Sequence, residues 1–198
     1  MFIETQDTPN PNTVKFIPGT PVMETGVAEF TSEDQAKTSR LATQIFALGN
    51  VTRVFYGADF VSVTKTHDAE WDILKTRIMS AMMDHAMTGL PLFEEGHDPQ
   101  AANSQAINED DDEIVKQIKE LIETRVRPMV AQDGGDIVFD RFEEGIVYLQ
   151  MRGACAGCPS STMTLKSGIE NMLRHYVPEV LEVRQVEDPS ALAQHLSY

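Results

Sequence analysis

The sequence predicts an α+β protein: two small α+β domains joined by a flexible acidic linker. Three observations carry that reading. Strand-like and helix-like periodicities alternate in both halves of the chain. Its 198 residues sit at the upper end for one domain and the lower end for two. The charge is also lopsided, because EEGHDPQAANSQAINEDDDE, Glu94 to Glu113, holds 8 acidic groups and no basic one, out of a formal net charge of -15. Residues 1–93 carry 7 basic and 11 acidic groups, and residues 114–198 carry 9 and 12. The acidic stretch has almost nothing to bury, so residues 94–111 are expected to be a self-repelling linker between domains at 1–93 and 112–187. Residues 188–198 are expected to be a tail. The carboxylates from Glu109 to Glu113 also suit a helix N-terminus.

In the first domain, PNTVKFIPG and VTRVFYGADFVSVTK read as strands, the second pair of runs joined at Gly57-Ala58-Asp59 as a hairpin. SEDQAKTSRLATQIFALG between them reads as a helix with Ser32 as cap, Glu33 and Asp34 in the first turn, and Gly49 as the stop. Asp68 is expected to cap a second helix through Trp71, Leu74, Ile78 and Met82, ended by Gly89 and Pro91. Met79, Met82, Met83 and Met87 have the soft side chains of a metal site or adaptable groove, yet packing on one helix face explains most of them. His67, His85 and His97 show no ligand spacing to one another.

The second domain opens with EIVKQIKELIETRVRPMV, where Ile114, Ile118, Leu121, Ile122, Arg125 and Met129 recur at helical steps. Asp133-Gly134-Gly135-Asp136 reads as a turn. GDIVFDRF and GIVYLQMR flank Glu143-Glu144-Gly145 as a hairpin. Leu165, Ile169, Met172, Leu173 and Tyr176 mark a second helix ending near Pro178, and VLEVRQV supplies a last strand. The order is αββαβ, a sheet covered by two helices.

The totals exclude several classes. Thirty-one acidic against sixteen basic side chains repel phosphate backbones, which argues against nucleic acid as the main ligand. The opening MFIETQDTPNPNTVKF has the marks of neither a signal nor a transit peptide. No apolar run approaches the roughly 20 residues of a spanning helix. Two cysteines do not make a disulfide framework, so a reducing compartment is expected: bacterial cytoplasm, or a mitochondrial matrix for a processed form.

Both cysteines, Cys155 and Cys158, lie in GACAGCPSS, where the hairpin gives way to the helix. Pro159 suits the first helical position, which places the sulfurs at the positive end of a helix where thiolates are stabilised. Gly153, Ala154, Ala156 and Gly157 are small, so the sulfurs are expected to stand unshielded. Four readings compete for the pair. Two ordinary thiols would more usually replace apolar core residues. A thioredoxin-like dithiol suits the helix N-terminus, but no βαβ unit precedes the pair. Zinc needs four ligands, and only His175 lies at a plausible distance, with His195 in the tail. Half of an iron–sulfur site needs two further thiolates, which a second copy across a twofold axis would supply. Asp133 and Asp136 fall short of a hard-cation site, and Arg152 could either steady an anion or face solvent.

RVRPMVAQDGGDIVF followed by GIVYLQMRGACAGCPSSTMTLKSGIENMLRHYVPEV resembles the NifU C-terminal domain of Nfu-type iron–sulfur carriers. TPNPNTVKFIPG, FALGNVTRVFYGADFVSVTK and the Trp71 helix resemble the Nfu N-terminal domain. The resemblance implies a scaffold or carrier, with no enzymatic turnover, that binds a cluster through Cys155 and Cys158 and passes it to apo-proteins. It implies a 4Fe–4S cluster bridging a homodimer, with 2Fe–2S as the other form. It also implies an upstream assembly donor; the N-terminal domain, having no reactive constellation of its own, reads as a partner-docking or positioning module. A CxxC dithiol oxidoreductase is the alternative.

Overall fold

A computed structural model describes residues 2–94, 111–157 and 159–186, leaving aside the side chains of residues 159–162. Most of the expected linker, Cys158 and the expected tail lie outside the described residues. The chain divides into two compact units, Met1–Asn103 and Ser104–Tyr198. Both mix helices and strands, so the fold class is α+β.

The first unit is a five-stranded antiparallel sheet ordered β1-β2-β5-β4-β3. The strands are β1 (Glu4–Asp7), β2 (Thr13–Ile17), β3 (Ala28–Phe30), β4 (Val51–Tyr56) and β5 (Val61–Lys65). Register sets Val14 opposite Val63 and Phe16 opposite Val61, with Val54 and Tyr56 continuing the row. Side chains alternate along a strand, so these residues share one face. They pack into a core with Leu41, Ile45, Leu74, Ile78 and Met82.

The helix expected over residues 32–49 is broken in two, α1 (Glu33–Ala36) and α2 (Arg40–Phe46). Ser32 caps α1 as expected, accepting from the Gln35 amide at 3.3 Å. Ser39 provides a second cap, accepting from the Ala42 amide at 3.4 Å, and its buried hydroxyl meets the Tyr56 hydroxyl at 3.0 Å. A serine that bonds the following turn favours a helix start over a helix interior, which is why the run breaks there.

Helix α3 (Trp71–Thr88) has its cap two residues later than the expected Asp68. Glu70 takes that position without a side-chain bond, and Gly89 ends the helix at φ 63°. Met82 is buried and Met79 is half-buried, whereas Met83 and Met87 are 42% and 84% exposed. Core packing therefore accounts for half of the methionine set, fewer than the spacing implied. Trp71 Nε1 donates to the Pro11 carbonyl at 3.2 Å, and Lys75 pairs with Asp7 at 3.2 Å, tying α3 to the sheet edge.

The second unit has the expected αββαβ order. Its first helix is a continuous run of α4 (Glu113–Leu121), a π turn (Ile122–Val126) and α5 (Arg127–Gln132). Ile118, Ile122, Val126 and Val130 are the buried stripe. Four-residue steps overshoot an α-helical turn by about 40° each, and the wider π turn takes up that drift. Arg125 and Met129 therefore lie off the apolar face on which they were expected. Both are exposed, and the Arg125 guanidinium stacks over the Tyr176 ring at 4.8 Å.

Strands β6 (Gly135–Glu143) and β7 (Ile146–Gly153) form the hairpin, turning at Glu144 and Gly145 with φ 50° and 81°. Two positive φ values mark a tight hairpin turn of the I′ kind. Helix α6 (Pro159–Tyr176) then crosses back to β8 (Glu182–Val186), which lies parallel to β7 in the order β6-β7-β8. Ile137, Leu149, Met151, Ile169, Leu173 and Val183 join the helical stripe in one core.

Candidate functional site

The end of β7 and the start of α6 hold the motif the sequence singled out. Pro159 is the first helical residue, as the sequence implied. Gly153 (φ 61°) and Gly157 (φ 79°) bend the segment between them. The Ala154 amide donates to the Gly134 carbonyl at 3.1 Å, and the Ala156 amide donates to the Gly153 carbonyl at 3.2 Å.

Cys155 does not stand open as its small neighbours suggested. It is 5% exposed and belongs to the same core as Ile137 and Met151. What covers it is the start of β6. Gly135 faces Gly153 across the ladder. A Cβ built on Gly135 would lie 2.5 Å from Cys155 Sγ, 2.7 Å from the Arg152 carbonyl oxygen and 2.9 Å from the Cys155 nitrogen. Gly134, at φ 80°, makes the turn that delivers β6 to this position. The close backbone approach is made at Gly135, which the sequence offered only as part of a turn, whereas a Cβ on Gly157 would meet nothing within 4 Å.

Asp136, the next residue, is 3% exposed. Arg127 of α5 grips it with two hydrogen bonds, Nε to Oδ1 at 2.8 Å and Nη2 to Oδ2 at 2.9 Å. Arg127 Nη1 also donates to Glu123 at 2.7 Å. Burial works to lower the Arg127 pKa, but the hydrogen bonds and charges of Asp136 and Glu123 outweigh it and hold the guanidinium above its ordinary value. Asp136 is therefore a carboxylate locked in a planar fork. Sequence reasoning weighed it only as a hard-metal ligand, and the fork was legible only in hindsight, from an arginine just before a proline and nine residues before a second acid. Asp133 ends α5 as its C-cap. Arg152 donates to Gln150 Oε1 at 3.1 Å, and its carbonyl helps to close over Gly135.

The zinc reading loses its partner. His175 sits near the C-terminal end of α6, packed edge-on against Tyr176 at 5.0 Å. Sixteen helical steps from Pro159 amount to about 24 Å. Among the described residues no group of three or more His, Cys, Asp or Glu is gathered to hold a metal ion. The sequence supplies two cysteines, and the described one, Cys155, packs against the start of β6.

Comparison with known proteins places both units. Residues 118–184 match the NifU-like domain, and residues 3–89 match the scaffold protein Nfu/NifU N-terminal domain. The chain is 57% identical over 190 residues to NifU-like protein 5, mitochondrial, of Arabidopsis thaliana, covering 95% of this chain and 69% of that one. It is 50% identical over 189 residues to the NFU1 iron-sulfur cluster scaffold homolog, mitochondrial, of Homo sapiens, covering 95% and 73%. A NifU-like protein of Saccharomyces cerevisiae, solved by NMR, overlays with a TM-score of 0.40 at 26% identity, covering 48% of this chain and 86% of that one.

Proposed function

We propose, from the premise that this chain belongs to the Nfu/NifU-like family of iron–sulfur cluster scaffold proteins, that it carries a cluster on Cys155 and Cys158 and delivers it to apo-proteins. What supports the proposal is the family membership together with the sequence position of the chain's two cysteines, between the end of β7 and the first residue of α6.

The cluster is cargo. A cubane takes four thiolates and one chain offers two, so a 4Fe–4S cluster is shared by two protomers about a twofold axis. A 2Fe–2S cluster is the smaller form that the same thiolates could hold. Delivery is ligand exchange: thiolates of a recipient displace Cys155 and Cys158 in turn, and access to the iron–sulfur bonds sets the rate. No substrate bond is broken or made catalytically, so the protein acts as a carrier with no enzymatic turnover.

Residues 94–111 act as the tether between the units, and the first unit holds recipients or the upstream donor while the second presents the cluster. A tether of this length brings the effective concentration of the cluster toward the millimolar range. The relatives are mitochondrial by name, which supports a processed mitochondrial form beside the bacterial cytoplasm expected from the thiol usage.

Anaerobic reconstitution with iron and sulfide tests the reading. The expected result is about two irons and two sulfides per chain, a 4Fe–4S Mössbauer spectrum and dimerisation on loading, all lost in Cys155→Ser and Cys158→Ser. A 2Fe–2S spectrum changes the cargo alone. A colourless monomer that turns over disulfides would replace the carrier with a dithiol oxidoreductase.

A further inference from the structure

The thiol that is to bridge two chains is buried. Cys155 is 5% exposed, and its Sγ packs directly against Gly135 at the start of β6. Gly135 in turn is held on two sides. Behind it, Gly134 accepts from the Ala154 amide at 3.1 Å, closing the Asp133–Gly134 turn onto the cysteine segment. Ahead of it, Asp136 is clamped by the Arg127 fork at 2.8 and 2.9 Å.

We infer that Arg127 and Asp136 are positioning residues that latch the start of β6 over Cys155 and so set how readily this thiol becomes available. The latch rests on the scaffold reading for its purpose, because an emergent Cys155 is what a shared cluster requires. The geometry favours this role over direct anion binding. The Arg127 donors are committed to the carboxylates of Asp136 and Glu123, so its charge is balanced within the fold. Arg127 and Asp136 come from different elements, α5 and β6, and the pair is buried on the Asp136 side, so it joins two bodies that would have to separate for β6 to lift. Gly134 lies in the left-handed region at φ 80°, a hinge position where no side chain opposes rotation. Glycine at Gly135 leaves room for the sulfur to sit under the strand in the closed state.

The test reads thiol exposure in the reduced apo-protein, independently of any cluster. Full-length Cys158→Ser protein is alkylated with iodoacetamide under native conditions, and modification at Cys155 is followed by mass spectrometry. Modification of a buried group tracks the equilibrium population of the open state when closing is fast. Asp136→Asn keeps shape and removes the charge, and should speed alkylation about tenfold or more, as expected for losing a charge-assisted grip. Arg127→Lys keeps the charge without the fork, and should fall between Asp136→Asn and the parent. Val183→Ala supplies a control for general loosening, since Val183 pairs with Val147 toward the opposite end of β7. At matched fractions of folded protein it should leave the rate unchanged.

An Asp136→Asn rate within twofold of the parent, or an equal rise in Val183→Ala, overturns the latch. Iron uptake by the unmodified chain, measured in parallel, separates the two readings. No iron with a tenfold effect sinks the scaffold and keeps the latch as a thiol guard. Normal iron with no effect sinks the latch alone.

Discussion

Adding one methyl group at Gly135 is the sharpest perturbation the structure offers. The alanine Cβ would meet Cys155 Sγ at 2.5 Å, the Arg152 carbonyl oxygen at 2.7 Å and the Cys155 nitrogen at 2.9 Å. Carbon atoms pack at about 3.5–4.0 Å, so each contact needs relief on the order of 1 Å. Two of the three opposing atoms are backbone and cannot rotate away, and the sulfur has the core behind it. Overpacking costs about 1–3 kcal/mol, and this geometry belongs at the upper end. For a unit of this size, about 3 kcal/mol lowers the melting temperature by roughly 12–24 °C. Scanning calorimetry of Gly135→Ala should therefore show the C-terminal unit melting early. Trp71, the only tryptophan, lies in the first unit, so its fluorescence transition provides an internal reference that should stay in place. A C-terminal transition within about 2 °C of the parent would refute the close packing of β6 on Cys155.

The methionines of α3 separate core from surface. Met82→Ala should cost about 2–4 kcal/mol in Trp71-monitored denaturation and Met87→Ala less than ~0.5, since Met82 is buried and Met87 exposed; similar values for both would contradict the helix orientation. Tyr56 makes the first unit sensitive to alkali. Burial raises its pKa above the ordinary 10.0, only partly offset by hydrogen bonds to Ser39 and the Ala42 backbone. The unfolded chain therefore gives up this proton first. Its contribution is present below about pH 10 and is lost as pH rises past it, with a slope of up to ~1.4 kcal/mol per pH unit. Tyr56→Phe should flatten that slope between pH 10 and 11, and identical slopes in the two proteins would remove Tyr56 as its source.

Much of this architecture was legible from local chemistry. Pro159 at the head of α6, Gly89 at the end of α3 and Gly145 in the hairpin each occupy the position that their backbone preferences dictate, whereas Glu144 takes a φ of 50° that the hairpin turn imposes on it. The parts that escaped depend on neighbours distant in sequence. ETQD in β1 is polar and largely exposed, and becomes a strand only because β2 offers it an edge. AEF in β3 is too short for alternation to register. Arg125 and Met129 fit an ideal α-helical face, but a π turn rotated that face toward Val126 and Val130. At the site, the turn from β7 into α6 with Pro159 at its head could be read directly. The burial of Cys155 could not, because glycine and alanine fit an open loop and a backbone pressed against a sulfur equally well.

The parallel pairing of β7 with β8 has a consequence for how the thiols are born. Ile146 aligns with Glu182 and Gln150 with Val186, partners separated by the whole of α6. The β6–β7 hairpin joins neighbours through a two-residue turn and can close while α6 is still being synthesised, whereas the crossover must wait for its last strand. Each newly made chain therefore passes through an interval in which β7 is paired on one side only and the core over Val147 and Leu149 is unfinished. The cysteine segment emerges from the ribosome within that interval, ahead of the helix and strand that complete its surroundings. Oxidants and chaperones would meet these thiols during synthesis, before the finished fold governs access to them.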